Sequence, residues 1–180
     1  MYTITGATGN TGSVVAKTLL ARGHKVRVLG RNAERLQPLV ALGAEPFVCE
    51  ITDAGKLTEA FKGAQAVYAM IPPDLANKDV RAYQERASDA LASALQAAAV
   101  KHAVSLSSIG ADKTEKTGPV VGLHHLEEKL NAVPGLNVLH LRPGSIAHRT
   151  RDRSKDLLRV RWRNAGESQR QNKCRHQGWP

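Results

Sequence analysis

The chain has little of what a disulfide-stapled, metal-bound or membrane-spanning protein needs. Its 180 residues include only two cysteines, Cys49 and Cys174. They are too far apart to suggest a paired framework and lack metal-ligand spacing, so Cys49 reads as a buried apolar strand residue and no metal is expected. No apolar run approaches the roughly 18 residues of a membrane span. The opening Met1-Tyr2-Thr3-Ile4-Thr5 lacks the basic start and long apolar stretch of a secretion signal. These absences point to a cytoplasmic protein with no membrane partner. Aromatics are scarce at 4%, which leaves the core to be built from aliphatic side chains and alanine.

Acidic residues are also in deficit, but the deficit is local. The net charge is +10, and the segment from His148 to Pro180 carries ten Lys and Arg against three Asp and Glu, or +7 of it. A high pI that resides in the tail is no sign of a basic face on the folded body, which argues against a nucleic-acid partner for that body. A hydrophobic share of 42% and a charged share of 23% are those of an ordinary globular chain. The length suits one domain with one sizeable core.

What is present alternates. Short β-rich runs at Tyr2 to Thr5, Val26 to Leu29, Pro46 to Cys49, Ala66 to Ile71, Ala103 to Leu106 and Asn137 to Leu141 are predicted strands. Between them lie helical patterns. The first spans about Thr11 to Arg22, with Val14, Val15, Thr18 and Leu19 as its expected buried face and Gly23 as its stop. Others are predicted over Ala33 to Leu42, closed by Gly43, over Ala54 to Lys62 with Thr52 or Asp53 as cap, and over Asp79 to Ala99. Strands separated by helices of this length pair in parallel through right-handed crossovers. The expected fold is therefore a doubly wound, mostly parallel α/β sheet in three layers, α/β/α.

The first crossover carries the chemistry. In Gly6-Ala7-Thr8-Gly9-Asn10-Thr11-Gly12 a strand runs into glycines spaced three apart and then into a helix. Gly6 permits the sharp turn, Gly9 removes a side chain where a pyrophosphate must meet backbone, and Gly12 lets the helix pack closely. The amides and positive end of that helix would then face phosphates, which implies a dinucleotide-binding Rossmann domain. A glycine-rich turn without a ligand is the bland alternative. At the end of the second strand, Val28-Leu29-Gly30-Arg31-Asn32 offers no carboxylate to hold a ribose 2′-hydroxyl. Arg31 can instead pair with a 2′-phosphate, so NADP (NADPH) is favoured over NAD.

With these residues in view the sequence resembles the NmrA-like branch of the atypical short-chain dehydrogenase/reductase family. The GATGxxG loop, Val28 to Asn32, Ala66-Val67-Tyr68-Ala69-Met70-Ile71-Pro72-Pro73, Leu106-Ser107-Ser108-Ile109-Gly110 and Leu141-Arg142-Pro143-Gly144 follow the family's order and spacing. The resemblance implies cofactor contacts from Gly6, Thr8, Gly9, Asn10, Thr11 and Gly12 to the pyrophosphate. It also implies Arg31 at the adenosine ribose, Glu50 and Ile51 around adenine, and Met70, Ile71 and Pro72 beside the dinucleotide. The Tyr-x-x-x-Lys proton-transfer pair of the broader superfamily has no counterpart in Gly118 to Glu128, so the catalytic residues are unknown. His124 or His125 could donate a proton instead, with a surface or capping role as the alternative. Ser107 and Ser108 could touch nicotinamide or substrate, or simply satisfy backbone.

Two functions follow from the resemblance. One is NADPH-dependent reduction of a small molecule of quinone-like, azo or carbonyl type. The other is a non-catalytic NAD(P) redox sensor that regulates a partner protein. The sequence is silent on oligomeric state. After about Ile146 the text turns arginine-rich and loses apolar periodicity. A dinucleotide-binding domain is thus expected at 1–146, and a basic, disordered tail at 147–180, as if the reading were truncated or frame-shifted there. A basic arm for RNA or acidic partners is the alternative.

Overall fold

The computed structural model describes residues 1–74, 79–113 and 120–144, together with the backbone of a strand at 158–163. The rest of the 147–180 segment, along with Gly118 and Pro119, lies outside the described residues. In chain order the elements begin with β1 (Tyr2–Ile4), α1 (Asn10–Ala21), β2 (Val26–Gly30), a 3-10 turn (Glu34–Leu36), α2 (Gln37–Val40) and β3 (Glu45–Val48). They continue with α3 (Ala54–Phe61), β4 (Ala66–Ala69), α4 (Val80–Ala97), β5 (His102–Leu106), α5 (Val121–Ala132), β6 (Asn137–Pro143) and β7 (Leu158–Arg163). The sheet order is β3-β2-β1-β4-β5-β6-β7. Neighbours from β3 through β6 pair in parallel, and β7 adds to β6 in antiparallel register, Leu139 opposite Trp162. This is the expected doubly wound Rossmann sheet, and its order reverses between β1 and β4.

Each strand divides its side chains between two layers, as the period of two requires. Ile4, Val26, Val28 and Tyr68 pack with Ala16, Leu36 and Leu39 on the side of α1 and α2. Leu29, Val67, Ala69 and Val138 pack with Leu57, Phe61, Leu91, Leu95, Leu126 and Leu130 on the side of α3, α4 and α5. The described core is largely aliphatic, as the composition demands.

Three expectations need correction. The buried face of α1 is not Val14, Val15, Thr18 and Leu19, because Val14 is 61% exposed and Thr18 is also exposed. Its buried residues are Gly12 and Ala16, with Val15, Leu19 and Leu20 packed beside them. The close seat of Gly12 on the preceding loop sets the rotation of the helix. The single helix expected over Ala33 to Leu42 is a 3-10 turn followed by one α turn, with Pro38 in the first turn of the latter. Proline lacks an N–H and would crowd the carbonyl of residue i−4 in a helix interior, so a helical turn restarts around it. Finally, residues 158–163 form a paired strand rather than part of a structureless tail. The residues Leu158, Val160 and Trp162 alternate with Arg159, Arg161 and Arg163, a period-two signal that the arginine content obscured.

Of the two caps considered for α3, Asp53 is the one used, its carboxylate accepting the Lys56 amide at 3.0 Å. Replacing Asp53 with alanine is expected to cost about 1 kcal/mol of stability. Thermal unfolding of Asp53→Ala checks this, and an unchanged midpoint would show that the cap contributes nothing.

Candidate functional site

The chain turns off β1 through Gly6, whose φ of +60° lies in the left-handed region that favours glycine. The Gly9 amide bonds back to the Gly6 carbonyl at 3.0 Å, and the Ala7 amide bonds to Leu29 at 3.2 Å, which ties the loop to β2. A Cβ on Gly12 would overlap the Gly6 carbonyl oxygen and stand 2.9 Å from its carbonyl carbon and 3.0 Å from the Ala7 Cα. Only glycine lets α1 begin this close to the loop. Gly9, at the N-cap, supplies no side-chain cap, and the first turn holds no acidic residue. The positive end of the helix dipole is therefore not compensated from within α1.

The loop is anchored across the switch point by Thr5. Its hydroxyl oxygen accepts the Met70 amide at 2.8 Å and lies 3.0 Å from the Met70 carbonyl and 3.2 Å from that of Tyr68. The ends of β1 and β4 are thus joined by a buried side chain where the sheet order reverses. Open α/β sheets form ligand crevices at such a point.

A cleft of about 450 Å³ opens there, lined by Thr5 and the phosphate loop, by Arg31 and Arg35 after β2, and by Cys49, Leu57 and Tyr83. Of the residues singled out from sequence, Gly6, Thr8, Gly9, Arg31, Ile51, Met70 and Pro72 line it. Asn10, Thr11, Gly12, Glu50 and Ile71 do not. The Thr11 hydroxyl bonds to Tyr68, Gly12 seats the helix, and Ile71 is buried in the α3–α5 layer. Glu50 is exposed at the end of β3. The sequence reading missed Arg35 and Tyr83. Arg35 lies four positions after Arg31, in the 3-10 turn that follows β2, and a second arginine so close to the strand end could have flagged it. Tyr83 comes from α4, and its hydroxyl donates to the Pro72 carbonyl at 3.0 Å; no local pattern announces that contact.

The charged side chains that line the cleft are basic, although Glu50 lies close enough to act on Cys49 and Tyr83. The lining of the cleft includes Arg31 and Arg35 and, among the described residues, no aspartate or glutamate. Cys49 also lines it, but burial and the nearby Asp53 push its thiol up to about 11, so it stays protonated at neutral pH. Tyr83 is raised chiefly by burial, with Arg31 acting in the opposite sense.

The histidines and serines weighed for proton transfer lie outside the cleft lining. His124 holds the Ala111 carbonyl through Nδ1 at 2.7 Å and faces Glu128 through Nε2 at 3.4 Å. His125 Nε2 is 3.4 Å from Asp89, which also pairs with Lys129 at 2.8 Å. Ser107 is buried and donates to the carboxylate of Glu127 at 2.6 Å. Glu127 in turn takes a two-pronged hydrogen bond from Arg142, with Nε at 2.7 Å. Burial raises the Glu127 carboxyl, but the Arg142 hydrogen bond, the field of His140 and the Ser107 hydrogen bond together hold it below its ordinary value. The Ser108 hydroxyl lies 3.3 Å from the Ile109 carbonyl. Neither serine lines the cleft.

Comparison with known proteins agrees with this geometry. The sequence model of a family described as NAD(P)H-binding matches residues 6–169, beyond the change of character at Ile146. The chain is 41% identical over 71 residues to the NmrA-like oxidoreductase himF of Aspergillus japonicus, covering 38% of this chain and 22% of that protein. It is 37% identical over 78 residues to ptmS of Penicillium ochrochloron, of the same description, covering 41% and 23%. Among solved structures, triphenylmethane reductase of Citrobacter sp. with NADP(H) superposes at a TM-score of 0.68 and 22% identity, covering 78% of this chain and 48% of that one. The NADPH-dependent quinone oxidoreductase QOR2 of Escherichia coli superposes at 0.64 and 23%, covering 77% and 47%. These structural similarities establish the fold. The chain matches about a fifth of the curated relatives and about half of the solved structures. Among the described residues no helix is long and apolar enough to cross a membrane.

Proposed function

The chain belongs to the NAD(P)H-binding family, and from that premise we propose that it is a reductase of the NmrA-like lineage that holds NADPH in preference to NADH. The observation that carries this is a switch-point cleft with two arginines and, among its described lining residues, no carboxylate. Such a cleft favours an anion, and a dinucleotide with a 2′-phosphate is the more anionic of the two cofactors. Its volume suits a small-molecule ligand. The glycine turn, the uncapped start of α1 and the space over Gly9 fit a pyrophosphate.

In this reading Gly6, Thr8 and Gly9 cradle the pyrophosphate directly. Asn10, Thr11 and Gly12 serve it by fixing the start of α1. Arg31 meets the 2′-phosphate, Ile51 lies against adenine with Glu50 at its exposed rim, and Met70 and Pro72 border the chain of the dinucleotide while Ile71 anchors them. Bound NADPH supplies a hydride. The acceptors proposed are quinone-like, azo or carbonyl compounds, in keeping with the dye and quinone reductases of the same fold. Quinones need little proton donation from protein, which suits a site without Tyr-x-x-x-Lys. A dinucleotide-binding domain at 1–146, followed by a basic segment at 147–180 whose residues 158–163 extend the sheet, and a cytoplasmic setting are part of this proposal.

A second reading is favoured by α5, where His124 and Glu127 are both engaged within the protein. It makes the chain a non-catalytic sensor of NAD(P) redox state. NADPH consumption with a panel of quinones and azo dyes separates the two. Turnover is expected for the reductase, and binding without consumption would favour the sensor.

The cofactor preference has its own test. Arg31→Ala should weaken NADPH roughly ten- to a hundredfold, the loss of one charge-assisted phosphate contact, and leave NADH within about twofold. Calorimetric titration of both cofactors measures it. Equal loss for the two would show that Arg31 does not read the 2′-phosphate.

A further inference from the structure

Two sulfur atoms face the cleft, and they differ in chemistry. Cys49 is only 7% exposed and its thiol is held protonated, so it is a poor nucleophile toward peroxide. The thioether of Met70 has no proton to lose, and its residue is only partly buried at the cleft wall. Its sulfur lies directly over Gly6, where a Cβ on that glycine would overlap it. Its backbone is fixed on both sides by Thr5, which takes the Met70 amide and lies 3.0 Å from its carbonyl.

We propose that Met70 is an oxidation site within the dinucleotide cleft, where conversion to the sulfoxide by a peroxide weakens cofactor binding and bound cofactor shields the sulfur. The sulfur lone pair attacks one oxygen of hydrogen peroxide, whose proton passes to the departing oxygen. The O–O bond breaks, a new S–O bond forms and water leaves, so the thioether is oxidised by two electrons and the peroxide reduced by two. The sulfoxide oxygen is a polar acceptor added to a side chain wedged between a pinned backbone and the phosphate loop. It must either push Gly6 outward or turn into the cleft, where it meets phosphate oxygens with like polarity. This inference rests on the proposed dinucleotide reading of the cleft.

The test uses the full chain and hydrogen peroxide, with and without saturating NADPH. Mass spectrometry of the Met70 peptide follows oxidation, and calorimetry follows NADPH affinity before and after treatment. Oxidation of Met70 in the free protein, its suppression by NADPH, and a fall in affinity of roughly tenfold or more support the inference. Met70→Leu is compared with its own untreated sample, and its affinity should not change on treatment. Failure of Met70 to oxidise in the free protein, unchanged affinity of the oxidised protein, or an equal peroxide response in Met70→Leu would each overturn it. Absence of NADPH binding to untreated protein would instead strike the cofactor reading itself.

Discussion

Gly12→Ala is expected to disrupt both the loop and the binding of dinucleotide. In an ordinary helix this change is favourable by about 1 kcal/mol, since alanine is the better helix former. Here the added Cβ would overlap the Gly6 carbonyl oxygen and crowd the Gly6 carbonyl carbon and Ala7 Cα. These are backbone atoms that cannot rotate away. Overpacking of this kind costs about 1–3 kcal/mol, so it outweighs the propensity gain. The helix must retreat from the loop, and with it moves the Gly6–Gly9 turn that lines the cleft. The expected result is a lower unfolding midpoint and an NADPH affinity reduced by roughly a hundredfold or more, equivalent to two phosphate contacts. Denaturation and calorimetry on the same samples check it. A variant as stable as the parent that binds NADPH equally would show that the contact is not needed.

Glu127→Ala should be strongly destabilising. Glu127 is 2% exposed and joins α5 to the ends of β5 and β6 through Ser107 and Arg142. Removing it leaves the Arg142 guanidinium largely buried without its carboxylate, a loss of about 3–5 kcal/mol. Glu127→Gln keeps the shape and some hydrogen bonds and should cost less. The same pair gives the protein an acid limit. The folded carboxyl titrates below its unfolded value of 4.5, so its stabilisation is fully present above that pH and is lost as pH falls through the folded value. Urea unfolding from pH 7 into the acid range should show stability falling below about pH 4.5, with a shallower fall for Glu127→Gln. Parallel pH profiles would show that Glu127 is not a source of the acid sensitivity.

Much of the fold was legible because the sequence repeats one physical device. Short β-branched runs, amphipathic stretches and a glycine or an acidic cap at most junctions place six parallel strands almost as found. The phosphate loop was legible because Gly6, Gly9 and Gly12 each answer a local steric demand. Features set by rotation or by distant partners were not. The face of α1 depends on Gly12 meeting the Gly6 backbone, which residue periodicity alone does not encode. The Ser107–Glu127–Arg142 link joins residues 20 and 15 positions apart, and Tyr83 reaches Pro72 from a different element. Strand β7 carried a readable alternation that its charge disguised.

The central claim is that the cleft over Gly9 holds a dinucleotide, and Gly9→Val isolates it. The Gly9 backbone is extended, with φ −88° and ψ 174°, a conformation valine adopts readily. Its added Cβ meets only the Gly6 carbonyl oxygen, at 3.3 Å, a tight contact that a shift of a few tenths of an ångström relieves. The valine should therefore fold, with its branches in the space a pyrophosphate would take. Calorimetric titration with NADPH is predicted to give saturable one-to-one binding for the parent chain and none for a folded Gly9→Val. Absence of binding by the parent, or equal binding by the folded variant, would contradict the account.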